Sequence, residues 1–425
     1  MADKIKKIYS NNRVILYLLK YIVISIILCA IAILIDTRTV PILENIPSIF
    51  LTSVDLAKVI LGTLAGALLT ITTFTFSTIM VVLTMYSSDF SPRVVNNFLT
   101  DKISMKVLGV FVGGFIYCIV TLFFMKNSFS EYLVISATIG VLYAIFSIMY
   151  FVRFIYRVSS SIQATKLIKR VYDESYEIIE DSLKYKKEKE TLEEYKVKAY
   201  KNKVEVYSNQ NGYLQLMNLD SLLSEIKDID SKLIIHSHIG DFVTLNQNIG
   251  TLYHNEEELD EDLKEDIMNK LTFGNERLSM NDYKYSLQKI VDITLRAISP
   301  GINDPNTAIH CINILGVLLG KLSEIKENYT AIREEDSKGV VIYEDFNFAE
   351  DLYFTFYQVV HYGKEDVSVV VSLLQTLNRI GNIASENNLE ILRDFSNYVY
   401  DISIDNFKHK FDIDLINRSR YSIDV

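Results

Sequence analysis

The sequence predicts an α-helical integral membrane protein with four transmembrane helices, followed by a cytosolic α+β region made of a small β barrel-sandwich-like domain and a helical domain. Three observations lead there. Of the 425 residues, 49% are hydrophobic and 23% charged, yet the long apolar runs all lie before residue 152, so the two classes are segregated. Four of those runs are long enough to cross a hydrocarbon core of about 30 Å, which takes roughly 20 helical residues. Charge divides in the same way: eleven Lys/Arg face seven Asp/Glu up to Val152, leaving 32 basic and 46 acidic residues after it.

The spans are read as Val14 to Ile35, Ala57 to Tyr86, Met105 to Met125 and Glu131 to Val152. The first carries Lys20 within two turns of its start, where a lysine snorkels to the interface, and no small-residue cleavage site follows it. Basic residues cluster before the first span (Lys4, Lys6, Lys7, Arg13), between the second and third (Arg93, Lys102, Lys106) and after the fourth (Arg153, Arg157, Lys166, Lys169, Arg170). The positive-inside rule then puts both termini of a multi-pass membrane protein in the cytosol. Apart from Lys20, the apolar interiors hold no Asp, Glu, Lys, Arg or His. Proton-coupled transport and voltage sensing, which need such groups at mid-membrane, become poor candidates.

The second span is the most informative. Every seventh residue from Thr63 gives Thr63, Thr70, Ser77 and Thr84, and the series three further on gives Gly66, Thr73, Met80 and Ser87. Together they make a seam of small, mostly hydroxyl-bearing residues at a/d spacing, while Leu64, Leu68, Ile71, Ile79 and Val82 supply greasier faces. Two readings stay open: close helix packing, or a pore lining in which hydroxyls solvate a permeating ion or small solute. Thr72, Thr75 and Thr78 lie off the seam. In the third span, Gly109, Gly113 and Gly114 make a G-x-x-x-G arrangement that predicts a flat surface for helix contact.

Two punctuated motifs follow. Ser91, Pro92 and Arg93 open a short amphipathic helix after the second span, with Ser91 as cap and Pro92 at the first helical position; their place makes them gating or coupling candidates. Arg296 and Ser299-Pro300-Gly301-Ile302-Asn303-Asp304-Pro305, with Thr307 and Ala308, form a tight turn between two helices. Such a turn either fixes an interhelical angle or holds an anion at the second helix's N-terminus, so Arg296, Ser299, Pro300, Gly301, Asn303, Asp304 and Thr307 are ligand candidates. With the four-span start, Phe90-Ser91-Pro92-Arg93 and Ser299 to Pro305 with Thr307-Ala308 resemble a family of bacterial integral membrane proteins catalogued as a domain of unknown function. That resemblance covers nearly the whole chain and implies architecture and an inner-membrane location, but no activity.

The expected division is a membrane domain over 1–152, a helical extension of the fourth span and linker over 153–202, a small β-rich domain over 203–255, and a helical domain over 256–425. Asn211-Gly212 and Ile239-Gly240-Asp241 read as turns between short strands. His236 and His238 would share a strand face, with His254 a conceivable third metal ligand, but no Cys or paired acid completes a set, and no metal or cofactor is expected. Cys29 and Cys118 lie in apolar runs and Cys311 stands alone, so no disulfide framework is foreseen. Asp292 and Arg296 stand at i and i+4, the spacing of an intrahelical ion pair. No phosphate loop, dinucleotide fingerprint or nucleophile elbow occurs, which argues against an enzyme, and the acidic later part makes a poor nucleic-acid binder. The partners expected are the lipid bilayer, further copies of the chain and a permeant ion or small solute. The leading reading is a homo-oligomeric channel-like protein, favouring cations, with a cytosolic gating domain. The alternative is a membrane-anchored sensor or scaffold without transport.

Overall fold

A computed structural model describes residues 13–40, 46–89, 93, 102–125, 133–161, 163–197, 200–260 and 262–420. The chain divides into two compact units, Met1–Lys166 and Leu167–Val425.

The first unit holds α1 (Arg13–Asp36), α2 (Val54–Asp89), α3 (Lys102–Phe124) and α4 (Ser136–Ser161). All four are long and apolar enough to cross a membrane. Two short strands, β1 (Thr52–Ser53) and β2 (Leu133–Val134), pair antiparallel just before α2 and α4. Thr138 donates to the Phe50 carbonyl at 2.7 Å, so the described part of the 40–53 segment caps these helix starts.

α3 is the hub, because its glycines let other helices come close. A Cβ built on Gly109 would lie 3.1 Å from Tyr21 Cβ and 3.3 Å from Leu18 Cα, both on α1. One on Gly114 would lie 2.6 Å from the Tyr143 ring of α4 and 3.0 Å from Leu68 of α2. Lipid tails are as apolar as leucine, so contact between spans is won by close packing and hydrogen bonds rather than by removal from water. Both are present: Tyr143 donates to the Val110 carbonyl at 2.8 Å and meets Ser25 Oγ at 2.9 Å, while Tyr117 donates to the Ser136 carbonyl at 2.8 Å. Gly109→Ala is therefore expected to lower stability by about 1–3 kcal/mol, the usual cost of overpacking, seen as a lower melting temperature in detergent. An unchanged melting temperature would show that α1 and α3 can separate freely.

The second unit begins with α5 (Ala164–Lys187) and then carries β3 (Glu190–Leu192), β4 (Asn202–Tyr207), β5 (Gly212–Met217), α6 (Leu219–Ile226), β6 (Ser231–Ile235), β7 (Phe242–Val243), β8 (Asn248–His254), α7 (Leu263–Asn269) and β9 (Leu271–Gly274). After them come α8 (Tyr283–Ala297), α9 (Pro305–Ser323), β10 (Tyr329–Ile332), β11 (Val340–Glu344), α10 (Phe348–Gly363), α11 (Val367–Gly381), α12 (Glu386–Ser403) and α13 (Lys410–Ser419). Polar side chains start several of these helices: Asp282, Asp304, Asn347 and Asp366 each accept a backbone N–H of the first turn, satisfying donors that the helix itself leaves unpaired.

A six-stranded sheet runs in the order β3-β10-β11-β6-β8-β4, with β11 parallel to β6 and the other pairs antiparallel. Alternation along the strands sorts its two faces. Leu233, Ile235, Leu252, Ile332 and Val341 pack with Leu222, Leu223 and Ile226 of α6 and with Leu263 and Ile267 of α7. Ile234, Ala331, Val340 and Ile342 point the other way, under Leu192, Tyr195, Val197 and Tyr253. A smaller sheet, β7-β5-β9, stands beside it.

Three expectations are corrected here. The strands of 203–255 do not close into a barrel-sandwich of their own, because β6 is taken up by β11, whose apolar run Val340-Val341-Ile342 suits a strand buried on both faces. The chain beyond Glu256 is not wholly helical, since it supplies β9, β10 and β11. Nor is the helical extension within 153–202 continuous with the fourth span: α4 ends at Ser161 and a separate helix runs from Ala164 to Lys187.

Candidate functional site

On α2, the packed face is made by Leu61, Ala65, Leu68, Thr75, Ile79 and Val82, all buried. Thr63, Gly66, Thr70, Thr73, Ser77, Met80 and Thr84 are all exposed. At about 100° per residue, the centre of this exposed series lies roughly 160° from that of the packed face. The seam thus turns away from the rest of its own four-helix unit. The Ser87 side chain lies outside the described residues.

The hydroxyls have a defined polarity. Thr63 donates to the Val59 carbonyl at 2.8 Å, Thr70 to Gly66 at 2.9 Å, Thr73 to Leu69 at 3.0 Å and Thr84 to Met80 at 3.0 Å. A hydroxyl whose hydrogen is bonded back to the helix shows its outer side only as an acceptor. Such a row can coordinate a cation or accept from water, and it has little to offer an anion. Thr72 and Thr78, off the seam, bond back in the same manner at 2.6 and 2.9 Å, while buried Thr75 has no hydrogen-bond partner for its Oγ1 among the described residues.

The other candidates are placed as follows. Ser91 and Pro92 lie outside the described residues, and Arg93 is helical and exposed. The second motif joins α8 to α9. Its backbone folds on itself: Asn303 N–H donates to the Ser299 carbonyl at 2.9 Å and Asp304 N–H to the Ala297 carbonyl at 2.8 Å, with Asn303 in the left-handed region at φ +50°, a conformation asparagine tolerates. Ser299 Oγ donates to the Arg296 carbonyl at 2.7 Å. The carboxylate at the N-terminus of α9 is the chain's own, because Asp304 accepts from Thr307 N–H at 3.1 Å and from its hydroxyl at 2.6 Å. Those bonds hold the Asp304 carboxyl below the ordinary carboxylate range. Arg296, Pro300 and Gly301 stay exposed around the turn. Asp292, expected to pair with Arg296, accepts from Gln288 Nε2 at 3.0 Å.

The histidines do not form the pair read from their spacing. β6 ends at Ile235, so His236 bonds to Thr251 Oγ1 at 2.9 Å, while His238 sits in the following turn. Its Nδ1 lies 3.3 Å from Asp241 and its Nε2 3.5 Å from Glu344. His254 is buried, and its Nδ1 has no partner among the described residues. Among the described residues no group of three or more His, Cys, Asp or Glu is arranged to hold a metal ion.

His238 belongs to a charged layer that sequence reasoning missed. Hydrogen bonds to Asp241 and then Glu344 push its pKa up to about 9, against burial and the nearby Lys284 charge. Burial alone would raise Asp241, but bonds from the His238 ring and backbone hold it low, and the same ring lowers Glu344. Nearby, Asp351 is buried, accepts from the Tyr283 hydroxyl at 2.8 Å and lies 3.5 Å from Lys284 Nζ. Desolvation pushes it up to about 6. For His238 the folded pKa exceeds the unfolded one, so its stabilisation is complete below about pH 6.5 and lost as pH rises through about 9. The stability gap between wild type and His238→Gln is expected to shrink between pH 7 and pH 10 in urea unfolding of the detergent-solubilised protein. A gap constant across that range would refute the paired imidazolium.

Comparison with other proteins gives relatives in mycobacteria. An uncharacterised protein of Mycobacterium bovis and one from each of two strains of Mycobacterium tuberculosis are 23% identical over 331 residues, covering 76% of this chain and 63% of theirs. The chain thus spans less than two thirds of the length of these relatives. No solved structure matches. The model of the family described as "Predicted membrane protein (DUF2254)" matches residues 11–379. With four apolar helices at the head of the matched stretch and the two motifs inside it, the chain belongs to this family of predicted membrane proteins.

Proposed function

We propose that this is a homo-oligomeric, channel-like protein of the bacterial plasma (inner) membrane, with both termini cytosolic, in which copies of α2 line a path that favours cations. The carrying observation is the exposed seam of Thr63, Thr70, Thr73, Ser77 and Thr84, turned away from its own unit, with the four threonines presenting acceptor oxygens. One four-helix subunit is too small to enclose a path, so several seams must face a common axis. The later, acidic part of the chain has a gating role in this reading, and its charge raises the local concentration of cations. No catalytic role and no cofactor are part of it.

The test is the mass of the detergent-purified particle by native mass spectrometry. A trimer or larger ring supports the reading. A monomer or dimer overturns it and leaves the second reading, a membrane-anchored sensor. That alternative is favoured by one specific feature: the Leu167–Val425 unit has its own cores and a polar pocket.

A further inference from the structure

The outer face of the six-stranded sheet carries a pocket of about 270 Å³. Beneath it lie Leu192, Ala331, Val340 and Ile342, from three neighbouring strands, on the face that strand alternation turns away from α6 and α7; the last three are buried under their aromatic neighbours, so the open lining is mostly polar. Tyr195 and Tyr200 wall it, and Tyr195 is fixed edge-on to Tyr329 with ring centroids 5.1 Å apart.

The rim is charged in an unusual way. Lys196, Lys232, Arg333 and Lys338 converge there with Glu190, Glu194 and Asp230. Lys232 Nζ donates to the Lys196 carbonyl at 3.0 Å and lies 5.9 Å from the centre of the Tyr200 ring. Among the described residues, Lys196, Arg333 and Lys338 make no ion pair with the carboxylates beside them, although both signs share one concavity. The loop bearing Arg333 and Lys338 is held in place, since Lys338 N–H donates to the Lys227 carbonyl at 2.7 Å. Charges of both signs left unpaired in a concavity walled by two tyrosines are a lining that a ligand with a charge, hydroxyls and a flat ring completes.

We propose that this pocket binds a nucleoside monophosphate, with the phosphate held by Arg333, Lys338 and Lys196, sugar hydroxyls donating to the carboxylates, and the base lying against the Tyr200 ring. Guanidinium and ammonium groups are the natural phosphate partners, and planar bases lie against aromatic rings and apolar surface. The three carboxylates disfavour a bare polyanion, and the volume of about 270 Å³ falls just below the usual range of ligand sites, roughly 300–1,000 Å³, which excludes a long polyphosphate. This assignment does not rest on the pore reading, and it stands or falls separately from it.

The experiment is calorimetric titration of the full-length protein in detergent with adenosine monophosphate, inorganic phosphate and adenosine as separate probes. Saturable binding of the monophosphate with Kd below about 1 mM is expected, with phosphate and adenosine each at least about tenfold weaker. Arg333 and Lys338 are exposed, so Arg333→Glu and Lys338→Glu should keep the wild-type elution profile and each weaken the monophosphate at least about tenfold. Tyr200→Ala should weaken the monophosphate and adenosine while leaving phosphate unchanged. No saturable binding of the monophosphate, binding indifferent to both charge reversals, or phosphate bound as tightly as the nucleotide would each overturn the proposal.

Discussion

Proteoliposomes carrying the Thr70→Leu/Ser77→Leu double variant are expected to lose cation flux down to the level of protein-free vesicles. The two positions are seven residues apart, two turns along one stripe of α2, and both are exposed in the four-helix unit. Leucine at each removes an outward hydroxyl and inserts a branched alkyl group where a permeating cation would shed water. An ion then loses solvation that nothing replaces, and a barrier increase of roughly 3 kcal/mol already slows passage about 100-fold. Folding should survive, because neither side chain belongs to the packed face formed by Leu61, Ala65, Leu68, Ile79 and Val82. Phe76→Leu, exposed off the seam at 54%, is the matched control and should retain flux. Unchanged flux in the double variant would move the path off α2.

The membrane unit was readable because each of its signals is local. A continuous apolar run needs no partner to be recognised, and α1, α2 and α3 fall within a few residues of the spans read from hydropathy. Gly109, Gly113 and Gly114 face α1 and α4 as their spacing indicated. Asp304 and Pro305 likewise marked the start of α9 on their own, since a cap and an N1 proline act within one turn.

What escaped was whatever depends on residues far apart in sequence meeting in space. The β11 run from Val340 to Ile342 carries no alternation, because both of its faces are buried, and its partner β6 lies about a hundred residues earlier. The pairing of His238 with Glu344 rests on that same parallel register. His236 and His238 misled in the opposite direction: their spacing suits a strand, but the strand stops at Ile235. The pocket around Tyr200 and Arg333 draws on β3, β6, β10 and β11 at once, so no window of sequence contains it.

That dependence on distant pairing makes Lys186 the residue whose loss should damage the second unit most. Its ammonium, on the last turn of α5, lies 2.7 Å from Asp345 Oδ1 and 3.2 Å from Thr330 Oγ1. The Thr330 hydroxyl donates to the other Asp345 oxygen at 2.7 Å. Both charged side chains are nearly inaccessible, at 6% and 8%, and the triad ties α5 to β10 and to the end of β11. Burial already raises Asp345, although Lys186 and then Thr330 oppose it. Lys186→Met removes the largest opposing charge and leaves a buried carboxylate uncompensated, at an expected cost of about 3–5 kcal/mol. The sign with pH follows from the raised carboxyl. Its penalty applies in full above the folded pKa, fades as pH falls towards the unfolded value near 3.8, and is gone below that value, where the group is neutral in both states. Calorimetric melting of the full-length protein in detergent should therefore show the variant furthest below wild type at pH 8 and closer to it at pH 5. Adding Asp345→Asn removes the stranded charge while keeping an acceptor for Thr330, and it should restore most of the lost stability. A loss under about 1 kcal/mol in the single variant, the range of a solvated surface pair, would mean that water reaches Asp345 and that α5 is not clamped to the sheet by this contact.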